Sequence, residues 1–191
     1  MADDEIKFYT AAGDDGTTGL LGAGRVKKYH PRPAAVGDVD EAQAALGTAR
    51  ASMQDADAAA AVLQAQRDLY LLMAELAATP EAAPQFRQID EERVQWLETQ
   101  TDTYGQRIDL PREFTVGGDS IPGAALDLAR TVVRRAERAV VRLFDEGYVE
   151  NPALLAYLNR LSSLLFVLSR YEDALGGQSA VRLARGDEPG A

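Results

Sequence analysis

The segment Ala129-Arg130-Thr131-Val132-Val133-Arg134-Arg135-Ala136-Glu137-Arg138 carries two patterns at one spacing. Leu126, Ala129, Val133, Ala136 and Val140 recur three or four residues apart, the period of an apolar stripe on an α-helix. Arg130, Arg134 and Glu137 share a second face, with Asp127 and Arg138 flanking it. The segment therefore reads as an amphipathic helix, with one side in a core and the other presenting guanidinium groups. A guanidinium is planar, permanently charged and bidentate, so a face of this kind suits phosphate oxygens when a neighbouring carboxylate holds it in place. A solvated or salt-bridged helix face is the plainer reading, and at this point both stand.

The same period extends outward. Val36, Val39, Ala42, Leu46 and Ala49 predict a first helix from about Ala35 to Met53. Val62, Leu69, Leu72, Met73 and Leu76 predict a second from about Asp55 to Ala78, punctuated by Pro80 and Pro84. A third is expected from about Asp90 to Tyr104, with Val94, Leu97 and Thr101 inward and Trp96 and Leu97 in the core. The arginine helix follows a cap at Asp119 or Ser120, holds Pro122 in its first turn and ends near Gly147. A fifth opens at Asn151-Pro152 and runs to Leu175, with Leu154, Tyr157, Leu158, Leu161, Leu165 and Leu168 as a broad apolar face. No strand alternation and no internal repeat is evident, so the expected class is all-α, a bundle of about five helices. Residues 1–33, rich in Gly, Asp, Thr and Pro, are expected to form an irregular N-terminal arm. Residues 34–176 would be the bundle and residues 177–191 a frayed tail, within one domain.

Composition narrows the function. A net charge of −10 argues against a nucleic-acid or anionic-membrane surface, so neither partner is expected. A basic cluster inside so acidic a chain suggests a local pocket for a small anion. The absence of cysteine excludes disulfides and thiolate metal sites, and the single histidine, His30, gives poor support to histidine-rich metal sites and Ser-His-Asp triads. The start, Met1-Ala2-Asp3-Asp4-Glu5, lacks an apolar core of the signal-peptide kind. No run is expected to reach the roughly 18 apolar residues of a membrane span. A soluble, cytoplasmic protein is expected.

The arm contains Thr10-Ala11-Ala12-Gly13-Asp14-Asp15-Gly16-Thr17-Thr18-Gly19, whose glycines free backbone N–H groups to turn onto a phosphate while the threonine hydroxyls add donors. It is not a Walker A loop, and a turn-rich surface loop would carry the same residues. Lys28 could reach phosphate as a point charge, or be solvated. Asp40 and Glu41 lie early in the first helix, where carboxylates favour the positive end of its dipole, and Asp40 could pair with an arginine on a neighbouring helix. Asn159 and Ser163 sit one turn apart on the fifth helix and could add polar contacts; Arg160 and Ser162 read as packing or solvent-facing residues. Phe114, a bulky residue in a Gly/Pro-rich connector, could wall a ligand site or plug the core.

Taken in order, these segments resemble the PduO-type ATP:corrinoid adenosyltransferases from Phe8 to about Tyr171. The resemblance is carried by Tyr9-Thr10, Gly13 to Thr18, Arg25-Val26, Lys28, Gly37 to Glu41, Trp96-Leu97-Glu98, Phe114, Ala129 to Arg138 and Asn159-Arg160-Leu161-Ser162. It implies a five-helix up-and-down bundle of ferritin-like architecture and a homotrimer with ATP sites between subunits. It also implies transfer of the 5′-deoxyadenosyl group of ATP to cob(I)alamin or a related corrinoid, releasing triphosphate. By that resemblance Thr10, Gly13, Asp14, Gly16, Thr18 and Lys28 would embrace the triphosphate of ATP. Arg134, Arg135, Arg138 and Asn159 would hold phosphate and nucleotide. Mg²⁺ would arrive with ATP, near Glu137, which would also orient the arginines. Arg130 would pair with Asp40 under the corrin ring, Phe114 would press on its lower face, and Ser163 would lie in the same pocket. Arg134, Glu137 and Arg130 are the implied catalytic set. A flavoprotein reductase and an adenosylcobalamin-dependent enzyme are implied as partners.

Four positions depart from the family pattern. Ala11 replaces a Lys or Arg, Gly117-Gly118-Asp119 replaces Pro-Gly-Gly, Asp127 stands where a histidine is expected, and Ser163 replaces an acid. Exchanging a carboxylate for a hydroxyl leaves a weaker acceptor and could leave an arginine without its partner. A binding paralogue that carries or senses nucleotide or corrinoid, and a scaffold trimer whose arginines serve its interface, are the alternatives.

Overall fold

The computed structural model describes residues 8–110, 112–177 and 182–185. Five α-helices make the body: α1 (Pro31–Arg50), α2 (Ala56–Ala77), α3 (Glu91–Gly105), α4 (Ile121–Asp145) and α5 (Pro152–Leu175). Four of them begin where a short polar side chain satisfies a free backbone N–H of the first turn. Asp55 accepts from Ala58, Asp90 from Arg93, Ser120 from Gly123 and Asn151 from Ala153. The fifth start differs from expectation. α1 begins at Pro31, because the His30 ring accepts from the Arg32 amide and both Pro31 and Pro33 fit a first turn whose N–H groups have no helical partner.

α4 lies between α1 and α5, while α2 packs on α1 and α3 on α5. The stripe Leu126, Ala129, Val133, Ala136 and Val140 is wholly buried in that sandwich. Leu154, Tyr157, Leu158, Leu161, Leu165 and Leu168 of α5 are buried beside it, and each such side chain contributes about 1.5–3 kcal/mol relative to exposure. By length and composition α5 is apolar enough to cross a membrane, against the expectation that no run reaches that level, yet more than half of the relevant window is buried inside the bundle. Trp96, expected in the core, is only half-buried and lines an open cleft with Gln64, Asp68 and Arg93.

Polar groups tie the helices where leucines cannot. Tyr157 donates to Asp68 Oδ2 at 2.9 Å, and Arg93 and Gln64 occupy the other carboxylate oxygen. Burial, then the Asp68 charge, pushes the Tyr157 phenol well above its ordinary pKa, so it stays a donor. Glu172 of α5 accepts from the Gln54 and Asp55 amides in the turn before α2. Arg32 is buried, with no carboxylate partner among the described residues. It donates to the carbonyls of Leu76 (2.8 Å) and Ala78 (2.7 Å) at the end of α2 and to that of Tyr148 beyond α4. The C-terminal end of a helix carries negative partial charge, which suits a cation.

Two short pieces of pairing lie outside the bundle. β1 (Thr17–Gly19) and β2 (Arg25–Lys27) form an antiparallel hairpin, with Thr18 opposite Val26. Three-residue strands are too short to show alternation, which is why the arm read as irregular. Leu21, between them, donates to Ala77 O and accepts from Thr79 N, fastening the hairpin to the end of α2. Residues 182–185, expected to be frayed, cross the connector: Val116 donates to Arg182 O, and Ala184 donates to Phe114 O. The rest of the expected tail beyond Gly177 lies outside the described residues.

Replacing Arg32 with Met should lower the unfolding free energy by about 3 kcal/mol, because buried carbonyls lose their donors. Urea unfolding followed by circular dichroism checks this; a loss below about 1 kcal/mol would contradict it. Glu75, almost fully buried, has its pKa raised by desolvation above the ordinary 4.5, partly offset by the Asn151 amide and Arg87. Its contribution to stability is therefore complete below pH 4.5 and lost as pH rises through the elevated value. Unfolding midpoints measured across that window should fall less with rising pH in Glu75→Gln than in the parent.

Candidate functional site

The arm presents a groove against α1 in which Lys28, Thr18 and Asp40 stand among apolar walls. Thr18, Gly19, Leu20 and Lys28 line one wall and Pro33, Val36, Gly37 and Asp40 the other, enclosing about 390 Å³. Gly13 is closely approached: a Cβ there would stand 3.1 Å from Lys28 Nζ and 3.3 Å from Thr17 O, so a side chain would push the ammonium aside. Its absence lets the ammonium lie along the loop. Gly16 takes φ +76°, the left-handed region open to glycine, and its carbonyl accepts from the Lys28 amide at 3.0 Å. Ala11 takes φ +56°, where a Cβ costs about 1–2 kcal/mol, so the loop holds strain at that position. Arg25 holds the turn together, donating through Nε to Thr17 Oγ1 (2.9 Å) and through Nη2 to Ala12 O (2.6 Å). Asp15 accepts from the Thr17 hydroxyl and amide, and those bonds lower its pKa.

The second cluster lies on α4 and α5. The arginines of the quoted segment have different surroundings. Arg130 pairs with Asp127 one turn back at 2.7 Å, both side chains about a quarter exposed. Arg135 reaches across to α1, where Glu41 and Asp38 take its guanidinium, and the Glu41 hydrogen bond raises its pKa. Arg138 folds back onto Arg134 O at 2.9 Å. Arg134 is exposed and makes no ion pair with the described residues. Beside it a polar chain crosses three helices. Asn159 donates to Glu137 Oε1 (3.0 Å), Arg160 donates to Asn159 Oδ1 (2.9 Å), and Arg160 Nε meets Glu98 of α3 at 2.7 Å. Ser162 and Ser163 turn their hydroxyls onto Asn159 O, at 2.8 and 3.5 Å.

The third cluster is the connector before α4. Phe114 is 88% exposed, which removes the core-plug reading. Behind it the chain closes on α4 and α5: Arg170 Nη1 donates to Val116 O at 3.1 Å, and Asp119 pairs with Arg182 at 2.9 Å. Ser120 donates to Asp173 Oδ1 at 2.6 Å, while Asp173 Oδ2 faces Arg170 at 3.3 Å, an ion pair without hydrogen-bond alignment. Gly117 is required by contact, since a Cβ would stand 2.6 Å from Asp127 Oδ2 and 2.9 Å from Arg170 Nη2.

A profile for cobalamin adenosyltransferases matches residues 8–172, the whole span that holds these clusters. The chain belongs to the cobalamin adenosyltransferase family. It is 42% identical over 181 residues to the cobalamin adenosyltransferase of Cupriavidus metallidurans, covering 92% of each chain. It is 40% identical over 169 residues to the corrinoid adenosyltransferase PduO of Citrobacter freundii, covering 88% of this chain and 50% of that one. The chain thus spans about half the length of the PduO relatives it matches. Among solved structures, a variant of the PduO-type ATP:corrinoid adenosyltransferase from Lactobacillus reuteri, complexed with cobalamin and ATP, superimposes with a TM-score of 0.86. Its sequence is 32% identical, covering 94% of this chain and 97% of that one.

Against the family expectation, the single chain gathers the residues in two groups. Gly13, Gly16, Thr18, Lys28 and Asp40 belong to the arm and its groove, with Thr10 and Asp14 exposed on the approach. Arg134, Glu137, Arg138, Asn159 and Ser163 belong to the α4–α5 face. Within the chain Arg130 pairs with Asp127, three residues back on the same helix. Arg135 is held within the chain by Glu41 and Asp38. Three residues escaped as site contributors. Arg160 and Glu98 prop Asn159, and Arg25 staples the phosphate-type loop. All three stand in the quoted motifs, so the signal was their place in the pattern without a partner assigned.

Arg25→Ala should speed hydrogen exchange at the Thr17 and Lys28 amides by about tenfold and leave the Leu72 and Leu158 amides unchanged. Equal protection in parent and variant would show that the loop holds without the staple.

Proposed function

We propose that this chain transfers the 5′-deoxyadenosyl group of ATP to the cobalt(I) of a reduced corrinoid. The observation that carries the reading is the exposed Arg134, without an ion pair among the described residues, beside the Glu137–Asn159 tie, on a surface of a chain that belongs to the cobalamin adenosyltransferase family. In the transfer, the cobalt(I) electron pair forms a bond to C5′ of ATP as the C5′–O bond breaks. Triphosphate departs with the bonding pair. Negative charge thus gathers on the leaving group, and preorganised cations and N–H donors lower the barrier by meeting it there.

Arg134 would take triphosphate oxygens bidentately, and Lys28 with the Gly13–Thr18 loop would take them from the other side. Asn159, fixed between Glu137 and Arg160, would contact the nucleotide. Mg²⁺ bound to the phosphates would neutralise part of their charge; among the described residues no group of three acidic or histidine side chains is gathered to hold a metal ion by itself. Phe114 would press an apolar ring on the lower corrin face, with Arg130 and Asp40 at its edge.

The two groups of ligands stand on opposite partners of an assembly in this reading. The arm groove of one chain faces the α4–α5 surface of a neighbour, in a homotrimer with ATP between subunits. A flavoprotein reductase would supply the reduced corrinoid, and an adenosylcobalamin-dependent enzyme would receive the product. The Ser163 hydroxyl, spent on Asn159 O, favours the second reading, a paralogue that binds nucleotide or corrinoid without transfer.

The test is an anaerobic absorbance assay with chemically reduced cob(I)alamin, ATP and Mg²⁺. Conversion to light-sensitive adenosylcobalamin is the expected result; tight ATP binding without conversion would replace the enzyme by the carrier. Among the arginines, Arg134→Ala should weaken ATP binding by about 2 kcal/mol, the loss of a charge-assisted contact. Arg135→Ala should cost under about 0.5 kcal/mol, because that guanidinium is already held by Glu41 and Asp38. Isothermal titration of both variants decides the assignment, and equal losses would put both in the site.

A further inference from the structure

Asp127, a departure from the family pattern, places a carboxylate against a candidate site residue. Its two carboxylate oxygens face different clusters. Oδ1 accepts from Arg130 Nε at 2.7 Å. Oδ2 bears on the connector, 2.6 Å from the point where Gly117 would carry a Cβ. The same point lies 2.9 Å from Arg170 Nη2, whose other terminal nitrogen holds Val116 O. Three residues before Gly117 is Phe114, with its ring exposed. Asp127 therefore stands between the only two side chains expected to meet the corrin from this part of the chain.

From this juxtaposition we infer that Asp127 is a positioning residue for the corrinoid, fixing Arg130 and the Phe114 connector relative to each other. The inference rests on the adenosyl-transfer reading above. A carboxylate fixes a guanidinium by a charge-assisted hydrogen bond, stronger and more directional than a neutral one. Here the bond is made along one helix, so Asp127 orients Arg130 from within its own chain. Asp40 keeps its place in the groove beside Lys28. The connector is laid on the other carboxylate oxygen at a position where only glycine leaves room. Movement of the connector then disturbs Arg130, and loss of the Asp127 charge releases both. Neither effect reaches Arg134 or Lys28, so nucleotide binding is untouched.

The assay uses the full chain with cob(II)alamin, cob(I)alamin and ATP under anaerobic conditions. Asp127→Asn should raise the KM for corrinoid by at least about tenfold, as expected when a hydrogen bond to a charged group is lost. It should weaken binding of cob(II)alamin in the presence of ATP, and leave the KM for ATP within about twofold of the parent. Asp127→Glu should recover part of the loss, since the charge returns on a longer arm. Gly117→Ala should reproduce the corrinoid defect from the connector side. Unchanged corrinoid parameters in Asp127→Asn, or equal losses for ATP and corrinoid together with a lower melting temperature, would overturn the inference while leaving the parent's activity standing. No conversion by the parent chain would overturn the adenosyl-transfer reading, and this inference with it.

Discussion

A buried guanidinium, with no carboxylate partner among the described residues, sets the geometry of this molecule. Arg32 spends its donors on carbonyls of Leu76, Ala78 and Tyr148, thereby joining the first turn of α1 to the end of α2 and to the turn between α4 and α5. The carbonyl and amide that flank those of Arg32, at Ala77 and Thr79, are the ones that Leu21 of the arm pairs with. The hairpin is thus bonded to a segment that Arg32 immobilises, and the Lys28 ammonium, Gly13 and Thr18 inherit their position from it. A charged side chain of this kind is costly to bury, and the cost is met only because helix-end carbonyls would otherwise be unsatisfied. Leucine packing holds the helices together. It is the carbonyl clamp that fixes where the arm sits on them.

α4 shows how one helix serves both purposes. Its apolar stripe is buried between α1 and α5, which leaves the intervening positions free to be charged without loss of packing. The four arginines from Ala129 to Arg138 then differ by neighbour rather than by sequence. Two are tied to carboxylates within the chain, one leans on a helix carbonyl, and Arg134 alone stands open. A row of arginines is therefore a poor description of the surface. Its binding capacity depends on which guanidinium groups still have donors to give.

The bundle was legible because capping and periodicity agree. Asp55, Asp90, Ser120 and Asn151 each precede an apolar run and each caps a helix in the structure. The apolar period places the start of α1 four residues late, because Pro31 and Pro33 look like arm residues until the His30 cap sets them in a first turn. The hairpin was missed for want of length, and the pairing of residues 182–184 with the connector is a contact across the chain that no local period announces. At the site, residue types and order pointed to the arm loop and the arginine face. The partners did not follow. Whether Arg130 meets Asp127 or Asp40, and whether Arg160 is packing or a prop for Asn159, depends on helix rotation and on neighbouring helices, which a single sequence does not specify.

In the proposed assembly the site is complete only when the arm of one chain meets the α4–α5 face of another, and mixed assemblies distinguish this from a site within one chain. Lys28→Ala disables the arm half and Arg134→Ala the helix half, so each variant alone should have little adenosyl-transfer activity. Refolding the two together should restore activity, because some interfaces then pair an intact arm with an intact helix face. Mixed assemblies no more active than the separate variants would contradict the account and place both halves within one chain.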